Sequence, residues 1–127
     1  AKMSIATPKG FEPDKSTVNV SQNLTDIELT TDPLKAAKNA DVIVTDTYSS
    51  IHNNDLQRIK KFLPKFQVND KIMDLAKKNA IFLHCLPAKR EQEVTSSVID
   101  GPQSVVWDEA ENRLHSQKAL LSALLHA

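Results

Sequence analysis

Ala80-Ile81-Phe82-Leu83-His84-Cys85-Leu86-Pro87 carries an apolar run straight into a polar pair, then a leucine and a proline. The run is too short to span a membrane and has the length of a strand buried on both faces. Proline lacks the N–H that a sheet ladder needs, so Pro87 stops the strand. His84 and Cys85 therefore fall at the carboxyl end of a buried strand. In open α/β sheets that edge is where ligands bind.

Upstream, Asp41-Val42-Ile43-Val44-Thr45-Asp46 has the same shape, a β-branched centre with a polar end, and a polar loop from Thr47 to Asn54 follows it. Met3 to Thr7 reads as a short strand ended by Pro8-Lys9-Gly10, and Ile27 to Thr30 alternates like another. Helical signals separate them. Asp14 or Ser16 caps a short helix, although Thr17, Val18 and Val20 form helix poorly. Asp32 before Pro33 is an N-cap followed by its preferred first-turn proline, predicting a helix over Leu34 to Ala40. Leu56, Ile59 and Leu63 give the segment from Asp55 an apolar stripe, stopped near Pro64. Asn69 or Asp70 caps a further helix with Ile72, Met73, Leu75 and Ala76 inward and Lys77-Lys78 near its negative end.

Downstream, the charged Lys89-Arg90-Glu91-Gln92-Glu93 leads into one or two helical turns over Val94 to Ile99. Gly101-Pro102 is a turn, Ser104 to Asp108 a strand, and Ser116 to His126 an apolar helix with Leu120, Leu121, Leu124 and Leu125. Strands alternating with helices predict an α/β fold: an open, largely parallel, Rossmann-like sheet flanked by helices.

Composition narrows the function. The 127 residues make one domain with room for a core, and 16 basic against 16 acidic residues leave no nucleic-acid footprint. With Gly10 and Gly101 the sole glycines, neither a Gly-rich phosphate loop nor a dinucleotide G-x-G-x-x-G is present. A single cysteine forms no internal disulfide and fits a reducing, cytoplasmic setting. No signal peptide or membrane-length apolar run occurs, and no membrane partner is expected. A first residue other than Met points to a processed or excised piece.

Three predicted strand ends place polar groups on one rim: Asp46 to Ser50, His84 to Pro87, and Asp108 to Arg113. Asp46 suits an amine or a metal, or simply a cap or turn carboxylate. Cys85 with His84 as base fails as a dyad, because successive strand residues point to opposite faces; a small buried thiol is the plainer reading. Arg113 suits a phosphate or carbonyl oxygen, or a surface ion pair with Glu109 or Glu111. His52, His115 and His126 lack metal-ligand spacing, so no metal is expected. Lys60-Lys61, Lys77-Lys78 and Lys89-Arg90 read as solvated helix ends.

Together the rims match a family. Ala6-Thr7-Pro8-Lys9-Gly10-Phe11-Glu12-Pro13, Thr45-Asp46-Thr47-Tyr48-Ser49-Ser50, His84-Cys85-Leu86-Pro87 and Glu109-Ala110-Glu111-Asn112-Arg113-Leu114-His115 give a chain that resembles the second, amino-acid-binding domain of ornithine carbamoyltransferase, essentially end to end and weakest between Lys15 and Leu24. The resemblance implies carbamoyl transfer from carbamoyl phosphate to the δ-amine of L-ornithine, with no cofactor. Asp46 would hold the ornithine amino groups, with Ser50 and Ile51 at the amino-acid loop. Cys85 would lie beside the attacking amine. The Cys85 and Leu86 backbone would grip the carbamoyl NH2, and Arg113 would support carbamoyl phosphate and the developing oxyanion.

Two departures from the family pattern matter. Its loop reads Asp-x-x-x-Ser-Met-Gly, whereas Ser50 here is followed by Ile51 and His52; a residue with a Cβ in place of Gly strains a backbone that needs positive φ. The family's first-domain phosphate motifs, Ser-Thr-Arg-Thr and His-Pro-x-Gln, do not occur, and neither do the strand and helix that open its second domain. The chain is thus expected to be an incomplete second domain, inactive alone, of an enzyme that forms trimers or multiples of trimers. The missing strand would lie mid-sheet, between the Met3 and Asp41 strands. An ordered fragment would repair that gap by closing the sheet, by pairing with a second copy, or through another part of the enzyme. Two alternatives are a carbamoyltransferase for another amine, such as putrescine, and a non-catalytic receiver-like signalling module. The second lacks the acidic pair such modules need after their first strand, which here ends in Thr7-Pro8.

Overall fold

The computed structural model describes residues 1–49 and 55–126. In chain order its elements are β1 (Lys2–Ala6), α1 (Lys15–Gln22), β2 (Asp26–Thr30), α2 (Pro33–Ala37), β3 (Val42–Thr45), α3 (Leu56–Phe62), α4 (Asp70–Met73), β4 (Ile81–His84), α5 (Ser96–Ile99) and α6 (Val106–Leu125). The caps explain the starts. Asp14, Asp32, Asp55 and Asn69 each accept a hydrogen bond from a backbone N–H of the first turn of the helix they precede. Such a cap contributes about 1 kcal/mol, which offsets the poor propensity of Thr17, Val18 and Val20 in α1.

Both strand pairings are parallel. β1 runs beside β2 with Met3 opposite Ile27, and β3 beside β4 with Ile43 opposite Phe82. They form two separate two-stranded sheets among the described residues. Between them lies a cleft of about 520 Å³, walled on one side by Ser4 to Thr7 of the β1 end and on the other by Val42 to Asp46. This is the place where the family resemblance implies a missing strand. The single chain does not close it, so self-closure of the sheet, one of the three expected repairs, is not what this chain does.

The main core surrounds β4. Phe82, Val94 and Val106 are fully buried, with Ile43, Val68, Ile72, Met73, Val98 and Ile99 packed around them. Burying one such side chain contributes about 1.5–3 kcal/mol. β4 is nevertheless not buried on both faces as expected. Phe82 and His84 point inward, while Ile81 is 37% exposed and Leu83 only half-buried. The core elements cover one face of this strand and leave the other facing outward.

Several helix readings also change. Lys77 and Lys78 lie beyond the four-residue α4 and do not serve its dipole; Lys77 instead pairs with Asp41 at 2.7 Å. Leu75 is exposed, as is Leu56 of α3, which leaves Ile59 as the buried residue of that helix. The strand expected over Ser104 to Asp108 is a single bridge between Ser104 and Phe82, after which α6 starts. Val105-Val106-Trp107 favours strand locally. The acidic Asp108 and Glu109 then suit a helix N-terminus, and the Ala- and Leu-rich run beyond them carries the helix to Leu125. Glu109 to Arg113 is therefore helical rather than a loop beyond a strand. None of the described helices is long and apolar enough to cross a membrane.

Candidate active site

The pairing of β3 with β4 sets Thr45 opposite His84. The residues that follow, Asp46 and Cys85, then meet beyond the strand ends, and Cys85 Sγ donates to Asp46 Oδ1 at 3.2 Å. Asp46 also accepts the Thr47 N–H at 2.7 Å. Partial burial alone would raise the Asp46 pKa. The Cys85 and Thr47 hydrogen bonds outweigh it and hold the carboxyl below its ordinary value. The same contact raises the Cys85 pKa, first through the hydrogen bond to Asp46, then through desolvation and the negative charges of Asp46 and Glu109. Cys85 is thus a protonated donor at neutral pH, not a thiolate nucleophile. It is exposed, which corrects the expectation of a buried thiol.

His84 diverges from Cys85, as strand alternation requires: it is fully buried, while the thiol is exposed. Its Nδ1 accepts the Leu86 N–H at 3.0 Å. That assigns the proton to Nε2, which faces Glu93 Oε1 at 3.2 Å. Glu93, also fully buried, accepts the Lys89 N–H on the same oxygen. Leu86 sits at φ +51° ahead of a cis peptide to Pro87, a left-handed backbone that costs a residue with a Cβ about 1–2 kcal/mol. The Glu93–His84–Leu86 chain of hydrogen bonds holds this turn.

Glu93 was invisible to sequence reading, which placed it in an exposed charged run. No local signal marks it, since Glu91 stands two positions earlier in the same run and its partner His84 is nine positions away. Gln67 is a second missed group. Its side-chain amide donates to the carbonyls of Glu91 and Gln92, and so braces the segment that carries Glu93. Lys89 and Arg90 are not a merely solvated pair either. Lys89 Nζ reaches Ser49 Oγ at 3.2 Å, and Arg90 forks onto Asp100.

The third rim arrives by another route. Glu109, in the first turn of α6, accepts the His84 N–H at 3.0 Å. Arg113 lies one turn further along, exposed, with no hydrogen bond or ion pair among the described residues. Asp46, Cys85 and Leu86 are thus brought together, and Arg113 is not in contact with them. Ser50 and Ile51, the other expected site residues, lie outside the described residues. Asp46, His84 and Cys85 place one potential ligand atom each within 4.8 Å of one another. Both ring nitrogens of His84 are already committed to Leu86 and Glu93, which argues against a metal there.

The rim can hold a cationic amine at Asp46 beside a hydrogen-bonding turn at Cys85-Leu86, and among the described residues it offers no activated nucleophile. The chain is also similar to known proteins. Ornithine carbamoyltransferase from Cenarchaeum symbiosum is 60% identical over 122 residues, covering 96% of this chain and 40% of that protein. The Pyrococcus horikoshii ornithine carbamoyltransferase is 48% identical, covering 98% and 41%. The solved ornithine carbamoyltransferase from Pyrococcus furiosus superposes with a TM-score of 0.86 at 48% identity, over 96% of this chain and 41% of that one. An N-acetyl-L-ornithine transcarbamylase superposes at 0.79 with 28% identity, over 97% and 40%. The chain thus spans about two-fifths of the length of these relatives. The family model described as aspartate/ornithine carbamoyltransferase, Asp/Orn binding domain, matches residues 1–124, and the chain belongs to that family.

Proposed function

We propose that this chain is the ornithine-binding domain, incomplete at its N-terminus, of a cytoplasmic ornithine carbamoyltransferase that works as a trimer or a multiple of trimers. The observation that carries this reading is the meeting of Asp46 with the Cys85-Leu86 turn at the ends of two paired parallel strands. A carboxylate held ionised suits the amino groups of L-ornithine. The adjacent turn offers backbone groups to the carbamoyl NH2. The neutral δ-amine attacks the carbamoyl carbon, a C–N bond forms, the C–O bond to phosphate breaks, and the amine proton passes to the departing phosphate, giving L-citrulline and phosphate.

Catalysis on this scheme is positioning and charge stabilisation, which fits a Cys85 thiol kept protonated rather than activated. Arg113, with its guanidinium uncommitted among the described residues, serves carbamoyl phosphate and the oxyanion once the rest of the enzyme frames the site. Ser50 and Ile51 serve the amino acid. The main phosphate grip belongs to the first domain.

The test is citrulline formation by the complete enzyme that carries this chain, with ornithine and putrescine compared as acceptors, and by the 127-residue chain alone. The reading predicts citrulline from the complete enzyme, a strong preference for ornithine, and no turnover by the chain alone. Absence of citrulline from the complete enzyme, a preference for putrescine, or turnover by the isolated chain overturns it.

A further inference from the structure

Two cationic side chains from different parts of the fold converge on consecutive residues, Tyr48 and Ser49. Arg58 of α3 donates through Nε to the Tyr48 carbonyl. Its guanidinium also lies 4.9 Å from the Phe11 ring centre and 5.6 Å from that of Phe62. It is therefore anchored to the turn after β1 and to its own helix at once. Lys89 Nζ donates to Ser49 Oγ at 3.2 Å, and its backbone N–H is held by the buried Glu93. Tyr48 and Ser49 are themselves buried, at 5% and 4% exposure. The Tyr48 ring stacks on Phe62, and its hydroxyl donates to the Phe66 carbonyl at 2.6 Å.

This is more fixing than two residues need for packing alone. The step lies between Asp46 and Ser50, both assigned above to the amino acid. Lys89 stands two residues after Pro87, so its grip on Ser49 is a second link, beside Cys85–Asp46, between the amino-acid side of the site and the carbamoyl-gripping turn.

We propose that Arg58 and Lys89 are positioning residues that fix the Tyr48–Ser49 step and so set the amino-acid half of the site in register with the carbamoyl half. The inference rests on the function proposed above. Neither residue need touch substrate: Arg58 acts through a backbone carbonyl and Lys89 through a hydroxyl.

The experiment is steady-state kinetics of the complete enzyme with Arg58→Gln, Lys89→Met and Lys89→Arg. Loss of one charge-assisted hydrogen bond predicts a rise of about tenfold in the ornithine KM for Arg58→Gln and for Lys89→Met, with the carbamoyl phosphate KM within about twofold of the parent. Lys89→Arg retains a cationic donor and stays within about threefold of the parent ornithine KM. An ornithine KM unchanged in either loss variant, parallel rises in both KM values, or failure of Lys89→Arg to rescue overturns the proposal, since a merely structural role moves both substrates together. A parent enzyme that makes no citrulline instead overturns the underlying function. Amide exchange at Tyr48 and Ser49 in the same proteins then decides the positioning role: faster exchange in both loss variants sustains it, and unchanged exchange removes it.

Discussion

The thiol of Cys85 donates a hydrogen bond to the carboxylate of Asp46 across the ends of two parallel strands, with 3.2 Å between sulfur and oxygen. The contact stabilises the protonated thiol and the ionised carboxylate together, and it lowers the nucleophilicity of the one cysteine in the chain.

Alkylation reads this directly. At pH 8, iodoacetamide is expected to modify Cys85 more slowly than an unstructured cysteine peptide, even though the side chain is exposed. Asp46→Asn removes the charge that raises the thiol pKa and is expected to speed alkylation by about three- to tenfold. A variant that reacts no faster than the parent contradicts the assignment.

The same pair sets a pH dependence with a definite sign. The folded thiol pKa is raised above its ordinary value of 9.0. Its contribution to stability is thus complete below the unfolded thiol's pKa and is lost as pH rises through the folded one. The Asp46 pKa is lowered from 3.8, so its contribution is present above that value and lost as pH falls through the folded pKa. Denaturant midpoints should decline at both extremes, and Cys85→Ser should flatten the alkaline decline while leaving an acid one.

Much of this geometry was legible in the residues themselves. Asp32-Pro33 marked a helix start, Val42-Ile43-Val44 a strand, and Pro87 a strand end, because each is a local signal with one physical meaning. What was hidden depended on distant partners. Glu93 reads as surface charge until the chain folds back and puts it against His84, nine positions away. Val105-Val106-Trp107 carries strand propensity, yet Val106 is buried as the first residue of a helix, because the stretch from Asp108 onward outweighs three residues. Leu56 and Leu75 sit in apolar patterns but face outward, since periodicity cannot say whether a partner surface is present. The division of the sheet was legible only through the family pattern.

Gly101 offers a clean test of backbone packing. A Cβ there would lie 2.5 Å from the Ser97 carbonyl oxygen, a backbone atom that cannot swing aside as a side chain would. Gly101→Ala is expected to destabilise the chain by about 1–3 kcal/mol through displacement of α5. Thermal melting checks it, and an unchanged melting temperature would rule out the close approach.

Tyr48→Phe removes a hydroxyl that donates to the Phe66 carbonyl at 2.6 Å while leaving the ring stacked on Phe62. The expected cost is about 1 kcal/mol, with more if the buried carbonyl finds no water. Tyr48→Ala also loses the ring and should cost about 3–5 kcal/mol. Equal midpoints for the two variants in urea would show that the stack contributes nothing.

Glu93 and His84 are both fully buried, and Glu93 Oε1 receives His84 Nε2 and the Lys89 N–H. Glu93→Ala strands both donors and is expected to cost about 3–5 kcal/mol. A double variant, His84→Phe with Glu93→Leu, replaces the polar pair by apolar groups of similar size and should recover much of that loss. It should not recover the turn. His84 Nδ1 is the acceptor for the Leu86 N–H, and a phenyl ring offers none, so Leu86 at φ +51° loses the contact that holds it. The double variant is therefore expected to melt above Glu93→Ala but below the parent, because the Lys89 and Leu86 N–H groups both lack acceptors, while its Leu86 amide exchanges far faster and the complete enzyme loses activity. If stability, Leu86 protection and activity all returned together, the buried pair would be a packing element alone. If stability returns without the other two, the pair is there to shape the turn after β4.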